Sequence, residues 1–204
     1  MATRVDVYTS EGTASGVLAR PGSLRDALSS EVRLQIDVAN WQGLDEPGQR
    51  FAGTVVIAVD DILLAIADDE PGAPVHAAWH HVLIDSGPYS VQGELATMPG
   101  FDPGRSLARP SGEFVLLRDV RLSLRDRPEA GASVGDHVLV NRYGVERIEA
   151  DLMLGFFFPG AAIVSVAPAT SDAPAAASDA QAAIADAQAA STVGEATPTL
   201  GGVA

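Results

Sequence analysis

The residues best suited to bind a charged ligand are arginines in an alternating stretch that begins at Phe114. Arg118, Arg121 and Arg125 lie on or beside one predicted strand, and the period-2 alternation places Arg121 and Arg125 on the same face. Two planar guanidinium groups on one face could bind a carboxylate or phosphate of a ligand or partner. The alternatives are ion pairs with nearby carboxylates such as Asp119, and a contact with the acidic N-terminal part of the chain.

Three histidines near Trp79 could ligate a transition metal. His76 and His80 are spaced as i and i+4, which would place them on one face of a helix. The segment is better interpreted as a strand or linker, where this spacing loses its meaning. We therefore expect His76, His80 and His81 to hold no metal, and the sequence predicts no cofactor.

Two acidic turns could ligate a hard cation through carboxylate oxygens. Asp60-Asp61 and Asp68-Asp69-Glu70 lack the ligand and glycine spacing of a calcium-binding loop, so we interpret them as solvated turns. No Gly-rich phosphate-binding loop follows a predicted strand. We expect no catalytic residue, and an enzyme is not the favoured class.

An apolar run over residues 152–167 is the strongest candidate for an apolar interface. It includes Phe156, Phe157 and Phe158, and alternation would direct Phe157 to the face opposite its two neighbours. At least one face therefore needs another surface to cover it. An extra hairpin around Pro159-Gly160 that seals the interface between the two copies could bury the run within the chain, and this is the expected solution. Otherwise an exposed apolar patch would mark an assembly surface.

The elements that position these residues occur twice in the chain. Gly16-x-Leu18 recurs as Gly93-x-Leu95, and Asp37-Val38 recurs as Asp119-Val120. The spacing between the copies changes only at Gly- and Pro-rich loops, as expected of a duplication. We predict that the two copies superpose, with Gly16 on Gly93 and Asp37 on Asp119.

Alternating apolar residues predict five short strands in each copy, joined mostly by hairpins. The last hairpin of each copy is expected around Asp60-Asp61 and around the turn 141–144. Ser23 is the predicted N-cap of a short helix. The resulting domains are residues 1–70 and 76–167, followed by an Ala-rich tail, 168–204, that is expected to be disordered because it has few large apolar side chains.

Short strands joined by hairpins are typical of small closed barrels, because closure removes exposed sheet edges. The second copy resembles an Sm-like unit, within the wider group of SH3-like small barrels. The resemblance rests on Gly93-x-Leu95, on Phe114-x-x-Leu117-x-Asp119-Val120 and on Val140-Asn141-x-x-Gly144-Val145-x-x-Ile148. It implies an all-β fold of two tandem, five-stranded barrel-like repeats. Sm-like proteins bind RNA through an Asp-x-Asn loop and an Arg-Gly pair. Here the first motif is missing and Tyr143 separates Arg142 from Gly144, so RNA binding is not implied.

Composition narrows the possible partners. The net charge is −14, which opposes binding to nucleic acid. The chain contains no cysteine, and all 13 basic residues are arginine. The longest apolar run is shorter than the roughly 20 residues that a membrane-spanning helix needs. No secretory signal is recognised at the start of the sequence, so a cytoplasmic location is the default expectation.

Two classes of function remain open. The first is a non-catalytic interaction or assembly module, in which two fused small barrels bind a protein partner or a second copy. The second is a small-ligand-binding protein or enzyme with a site between the copies, near the loop 99–112. A concave pocket with convergent polar groups at the junction would favour the second class, and a filled junction would favour the first.

Overall fold

The computed structural model describes residues 2–45, 50–69, 76–97, 112–128, 132–150, 154 and 157–165. These residues form a sheet of 11 strands and a short helix, so the all-β fold class is confirmed. The strands are β1 (Arg4–Thr9), β2 (Gly12–Leu18), β3 (Arg33–Gly43), β4 (Arg50–Ala58), β5 (Ile62–Ala67), β6 (Ala78–Ser86), β7 (Tyr89–Thr97), β8 (Phe114–Leu124), β9 (Ser133–Asn141), β10 (Arg147–Ala150) and β11 (Ala162–Ser165).

The strand order is the same in the two parts of the sheet. We call residues 2–69 the N-half and residues 76–165 the C-half. The N-half has the order β5-β1-β2-β3-β4, and the C-half has the order β10-β6-β7-β8-β9. Antiparallel pairing of β9 with β5, in which Leu64 faces Val140, joins the halves into one sheet.

The described strands form an open sheet and not two closed barrels. β4 and β11 are its two outer strands. The fourth and fifth strands of each half do not pair with each other, because a 3-10 turn at Val59–Asp61 redirects the chain between β4 and β5. β5 pairs instead with β1 and β9, and β10 pairs with β6 and β11. The hairpins expected around Asp60-Asp61 and around residues 141–144 were therefore wrong.

Gly16 and Gly93 occupy the same place in the two halves. Each lies in the second strand of its half, where the pairing register with the third strand shifts. A Cβ atom on Gly16 would lie 2.6 Å from the Ile36 side chain, and one on Gly93 would lie 3.0 Å from the Arg118 carbonyl oxygen. The close approach of the neighbouring strand explains why glycine stands at both positions.

The expected match of Asp37 with Asp119 is wrong by one residue. Val17, the residue after Gly16, pairs with Asp37 of β3. Glu94, the residue after Gly93, pairs with Arg118 of β8. Asp119 therefore corresponds to Val38, and both have a positive φ, of 51° and 52° respectively. A one-residue error matters because it moves every side chain of a strand to the other face of the sheet.

The helix α1 (Leu24–Ser30) begins where the sequence predicts it. The Ser23 Oγ accepts a hydrogen bond from the Asp26 N–H at 3.0 Å, which confirms Ser23 as the N-cap. Its buried residues are Leu24, Ala27 and Leu28. Their i, i+3, i+4 spacing covers one side of the N-half core. Nowhere in the described residues does a helix combine the length and the apolar character needed to cross a membrane.

The two halves share their cores. Three side chains of the C-half enter the N-half core, namely Phe114, Leu116 and Leu139, and Leu64 of the N-half enters the C-half core. Burial of each such side chain contributes about 2 kcal/mol to stability. The predicted boundary between the repeats and the predicted disordered tail fall mainly in segments 70–75 and 166–204, which lie outside the described residues.

Candidate functional site

Arg118, the first of the predicted anion-binding residues, is half-buried and paired with other residues of the C-half. Its Nη2 lies 2.6 Å and its Nε 2.8 Å from Glu94 Oε2, and its Cζ lies 3.8 Å from the centroid of the Trp79 ring. The ion pair and the cation–π contact together occupy the planar guanidinium group. Arg118 is therefore a structural link between β6, β7 and β8 rather than a free anion ligand.

The other arginines do not converge with Arg118 on one site. Arg125 Nη1 donates a hydrogen bond to Glu146 at 2.8 Å, whereas Arg121 is exposed. The neighbouring Arg127 donates to the Leu44 carbonyl oxygen of the N-half at 3.0 Å. The alternatives of ion pairing and of contact with the N-half thus describe this surface better than a shared anion site.

The predicted apolar interface is mostly a core element. Phe157 and Phe158 are 7% and 1% exposed and belong to the C-half core. A turn does form at Pro159-Gly160, where the Ala161 N–H donates to the Phe158 carbonyl oxygen at 3.2 Å. The strand after it, β11, pairs in parallel with β10, and most of the first arm of the expected hairpin lies outside the described residues. The two rings are buried within the chain, as expected, but they lie in the core of the C-half and not at the interface between the two copies. Phe156 lies outside the described residues.

The histidines make ordinary contacts on β6. His80 Nε2 lies 3.0 Å from the Thr97 hydroxyl, and His81 Nε2 lies 3.6 Å from the Glu94 carboxylate. In the part of the chain that the structure describes, no group of three or more His, Cys, Asp or Glu side chains is arranged to hold a metal ion. Asp60 and Asp61 are exposed in the 3-10 turn.

One motif was missed in the sequence. Residues 131–135 read Gly-Ala-Ser-Val-Gly, which has the Gly-x-Ser-x-Gly spacing of a nucleophile elbow. An elbow needs a sharp turn from a strand into a helix behind the serine. Ser133 instead begins β9 and faces Leu122 of β8, so its context is that of an ordinary strand.

Leu63 fills the junction between the halves. It precedes the β5 residues that pair with β9, and its side chain lies against Gly87 and Gly144 of the C-half. A Cβ atom added at these two glycines would come within 2.7 Å and 2.9 Å of the Leu63 methyl carbons. The C-half therefore provides a closely fitting seat for a leucine of the adjoining strand.

A tyrosine pair also fills this junction. The rings of Tyr8 and Tyr89 meet edge to face with centroids 5.4 Å apart, and the Tyr89 hydroxyl donates to the Thr9 carbonyl oxygen at 3.1 Å. Burial raises the pKa of Tyr8 to about 12 and also raises that of Tyr89. Both phenols are therefore neutral at physiological pH. The two rings pack against each other, and Tyr89 also serves as a hydrogen-bond donor.

An open cleft of about 370 Å³ lies at the other side of the N-half. It borders the edge of β4 that no described strand covers. Its walls are residues 55–58 of β4, Trp41 of β3, the β1–β2 turn at residues 9–11, and Asp61. Trp41 and Val55 also pack against the N-half core, so the floor of the cleft is apolar.

This cleft, which we call the β4 cleft, occupies the place in the N-half that the seat of Leu63 occupies in the C-half. The pairing registers align residues 55–58 of β4 with residues 138–141 of β9. The pairing of β1 with β2 matches that of β6 with β7, and this alignment places Ser10 at the position of Gly87. The pairing of β1 with β5 matches that of β6 with β10, which places Asp61 at the position of Gly144. The same position is thus filled by Leu63 at the junction and is open beside β4. Ser10 and Asp61 carry side chains where Gly87 and Gly144 have none, so an apolar side chain in the β4 cleft would lie farther from this turn than Leu63 does.

Comparison with protein-family models, with curated proteins and with solved structures gives no match to this chain. The candidate site therefore rests on the geometry of the β4 cleft and on its correspondence with the junction.

Proposed function

We propose that the chain is a non-catalytic protein-interaction module, composed of two fused Sm-like units, that binds an extended segment of a partner protein along β4. The observation that carries the proposal is the β4 cleft, whose counterpart in the C-half receives a strand and its leucine. The identical strand order of the halves and the shared glycine positions support the duplication.

The backbone of β4 can pair with an added strand. The Val59 N–H donates to the Val32 carbonyl oxygen at 3.0 Å, which fixes the direction of the ladder with β3. In an antiparallel ladder the backbone groups alternate between the two sides of the strand. The N–H and C=O groups of Val56 and Ala58 therefore point away from β3, where a partner strand could bind them by β-augmentation.

The side chains at the β4 edge suit a transient interface. The residues by which β8 and β9 enter the N-half core are Phe114, Leu116 and Leu139. The corresponding residues of β3 and β4 are Arg33, Gln35 and Val56, which are all exposed. The β4 edge is consequently compatible with water when it is empty, as a transient interface requires.

The alternative class, a ligand-binding protein or enzyme with a site between the halves, is less well supported. Such a site needs a concave pocket with convergent polar groups. Leu63 and the Tyr8–Tyr89 pair fill the junction instead, and the loop that was expected to contribute lies mostly outside the described residues.

The proposal can be tested with a peptide that copies β5. A fluorescent peptide of the sequence Ile62–Ala67, extended by Gly-Ser at both ends, should bind the full chain in the micromolar range by anisotropy. Amide shifts in NMR spectra should change along β4. If the peptide does not bind, or if it shifts amides elsewhere and not on β4, the proposed function is wrong.

The matched variant is Val56→Pro. It removes an N–H that points away from β3, so the ladder within the sheet stays intact. We expect it to weaken peptide binding by about tenfold or more with an unchanged melting temperature. If Val56→Pro unfolds the chain, Ala58→Trp, which fills the β4 cleft, should weaken binding in the same way.

A further inference from the structure

The rim of the β4 cleft differs from the seat of Leu63 in its charge. Glu11 and Asp61 border the β4 cleft, and both are exposed. Their counterparts in the C-half are Pro88 and Gly144, which are neutral. Among the side chains that the structure describes, neither carboxylate has an ion-pair partner. The cleft therefore combines an apolar floor with an unneutralised acidic rim.

A second copy of this chain is poorly suited to occupy the cleft. The strand that would donate the leucine, β5, already lies between β1 and β9, and the corresponding β10 lies between β6 and β11. The outer strand β11 has one edge that no described strand covers, but its four residues, Ala162–Ser165, include no leucine. In the C-half, Glu146 holds the position that corresponds to Leu63. If β10 of a second copy occupied the cleft, this carboxylate would lie beside those of Glu11 and Asp61. Two copies would also each carry a net charge of −14.

We infer that the occupant is an extended, basic segment of a partner protein, with a leucine-sized side chain in the β4 cleft and an arginine or lysine beside it. This inference rests on the proposed function and names the chemistry of its partner. At the junction Ala65 faces Leu139 and Leu64 faces Val140. Applied to β4, the same register places the partner's leucine opposite Ala58, within reach of the acidic rim.

Three labelled peptides with the core Leu-Leu-Ala-Ile-Ala test this inference. One is flanked by arginines, one by glutamates and one by Gly-Ser. We expect the arginine peptide to bind the full chain about tenfold more tightly than the glutamate peptide at low ionic strength, and the difference to shrink in high salt. In the double variant Glu11→Gln, Asp61→Asn the preference should disappear while the Gly-Ser peptide binds as before.

The outcomes separate the inference from the proposed function. If all three peptides bind equally and Val56→Pro weakens all of them, the edge is a docking site but the basic partner is wrong. If none binds, both are wrong. Sedimentation of the unmodified chain and of Val56→Pro tests the remaining alternative. If the unmodified chain is a dimer and Val56→Pro is a monomer, a second copy occupies β4 and the inference is wrong.

Discussion

Val38 is a strained residue on the surface of the N-half. It is 83% exposed and has a φ of 52°, a backbone conformation that β-branched residues rarely adopt. The register shift opposite Gly16 imposes this conformation. Asp119, its counterpart in the C-half, has the same backbone geometry with a side chain that tolerates it better.

Val38→Asn should stabilise the chain. Asparagine accepts the left-handed conformation, and relief of the strain should raise the free energy of unfolding by about 1 kcal/mol. Urea unfolding of the variant measures the change. The control is Val32→Asn, because Val32 is 82% exposed without a positive φ. Equal effects of the two substitutions would argue against strain at Val38.

The tyrosine pair makes stability depend on alkaline pH. Tyr8 has a pKa of about 12 in the folded chain against about 10 when it is unfolded. The folded state therefore keeps its phenolic proton to higher pH, and the free energy of unfolding falls as pH rises between these two values. Because the chain has no lysine and no cysteine, tyrosine ionisation dominates this window.

We expect the free energy of unfolding to fall by about 1 kcal/mol between pH 9 and pH 11 on account of Tyr8. Urea titrations at the two pH values measure the difference. Tyr8→Phe should make the dependence shallower, because it removes the buried phenol whose pKa is raised. An identical slope in the unmodified chain and in the variant would show that the buried pair does not govern this dependence.

At the scale of elements, the segment leading to β11 stabilises the C-half from within. Phe157 and Phe158 are buried in its core, and β11 covers the outer edge of β10. β10 corresponds to β5 of the N-half. Its outer edge is covered by β11, whereas the outer edge of β5 is covered by β9, so β4 and β11 are the outer strands.

Phe157→Asp should destabilise the monomer by about 3 kcal/mol or more, because it removes a buried ring and buries a carboxylate in its place. Thermal melts and light scattering on the same sample would measure both stability and mass. Val164→Asp is the control, since Val164 lies on β11 but is 38% exposed. A well-folded Phe157→Asp monomer formed from a wild-type dimer would show that the run is an assembly surface.

At the scale of the whole molecule, the halves should unfold together. Leu139 of the C-half is 2% exposed and packs in the N-half core, so neither half keeps a complete core without the other. Two independent domains would instead give two transitions.

Leu139→Ala should lower stability by about 2–4 kcal/mol within a single cooperative transition. Calorimetry of the full chain tests both the size and the cooperativity of the effect. Val56→Ala is the matched control, because Val56 holds the corresponding position on β4 and is 54% exposed, and it should cost less than about 0.5 kcal/mol. Two separated transitions in either protein would contradict a shared core.

The sequence by itself determined the elements whose signals are local. Alternation defined the long strand β8, and the capping residue Ser23 marked the start of α1. The recurrence of a glycine identified Gly16 and Gly93 as equivalent. These features depend on residues that are neighbours in the chain, so they can be found without knowing which strands meet.

Only the tertiary structure decided which strands pair across the sheet. The 3-10 turn after β4 prevents the hairpin that adjacency in sequence suggested, and β5 crosses to β9 instead. The partners of Arg118 come from β6 and β7, and the walls of the β4 cleft come from four separate segments. Such arrangements leave no regular spacing in the sequence, because they arise from long-range packing, in which burial of the shared core selects one pairing of the strands over the others.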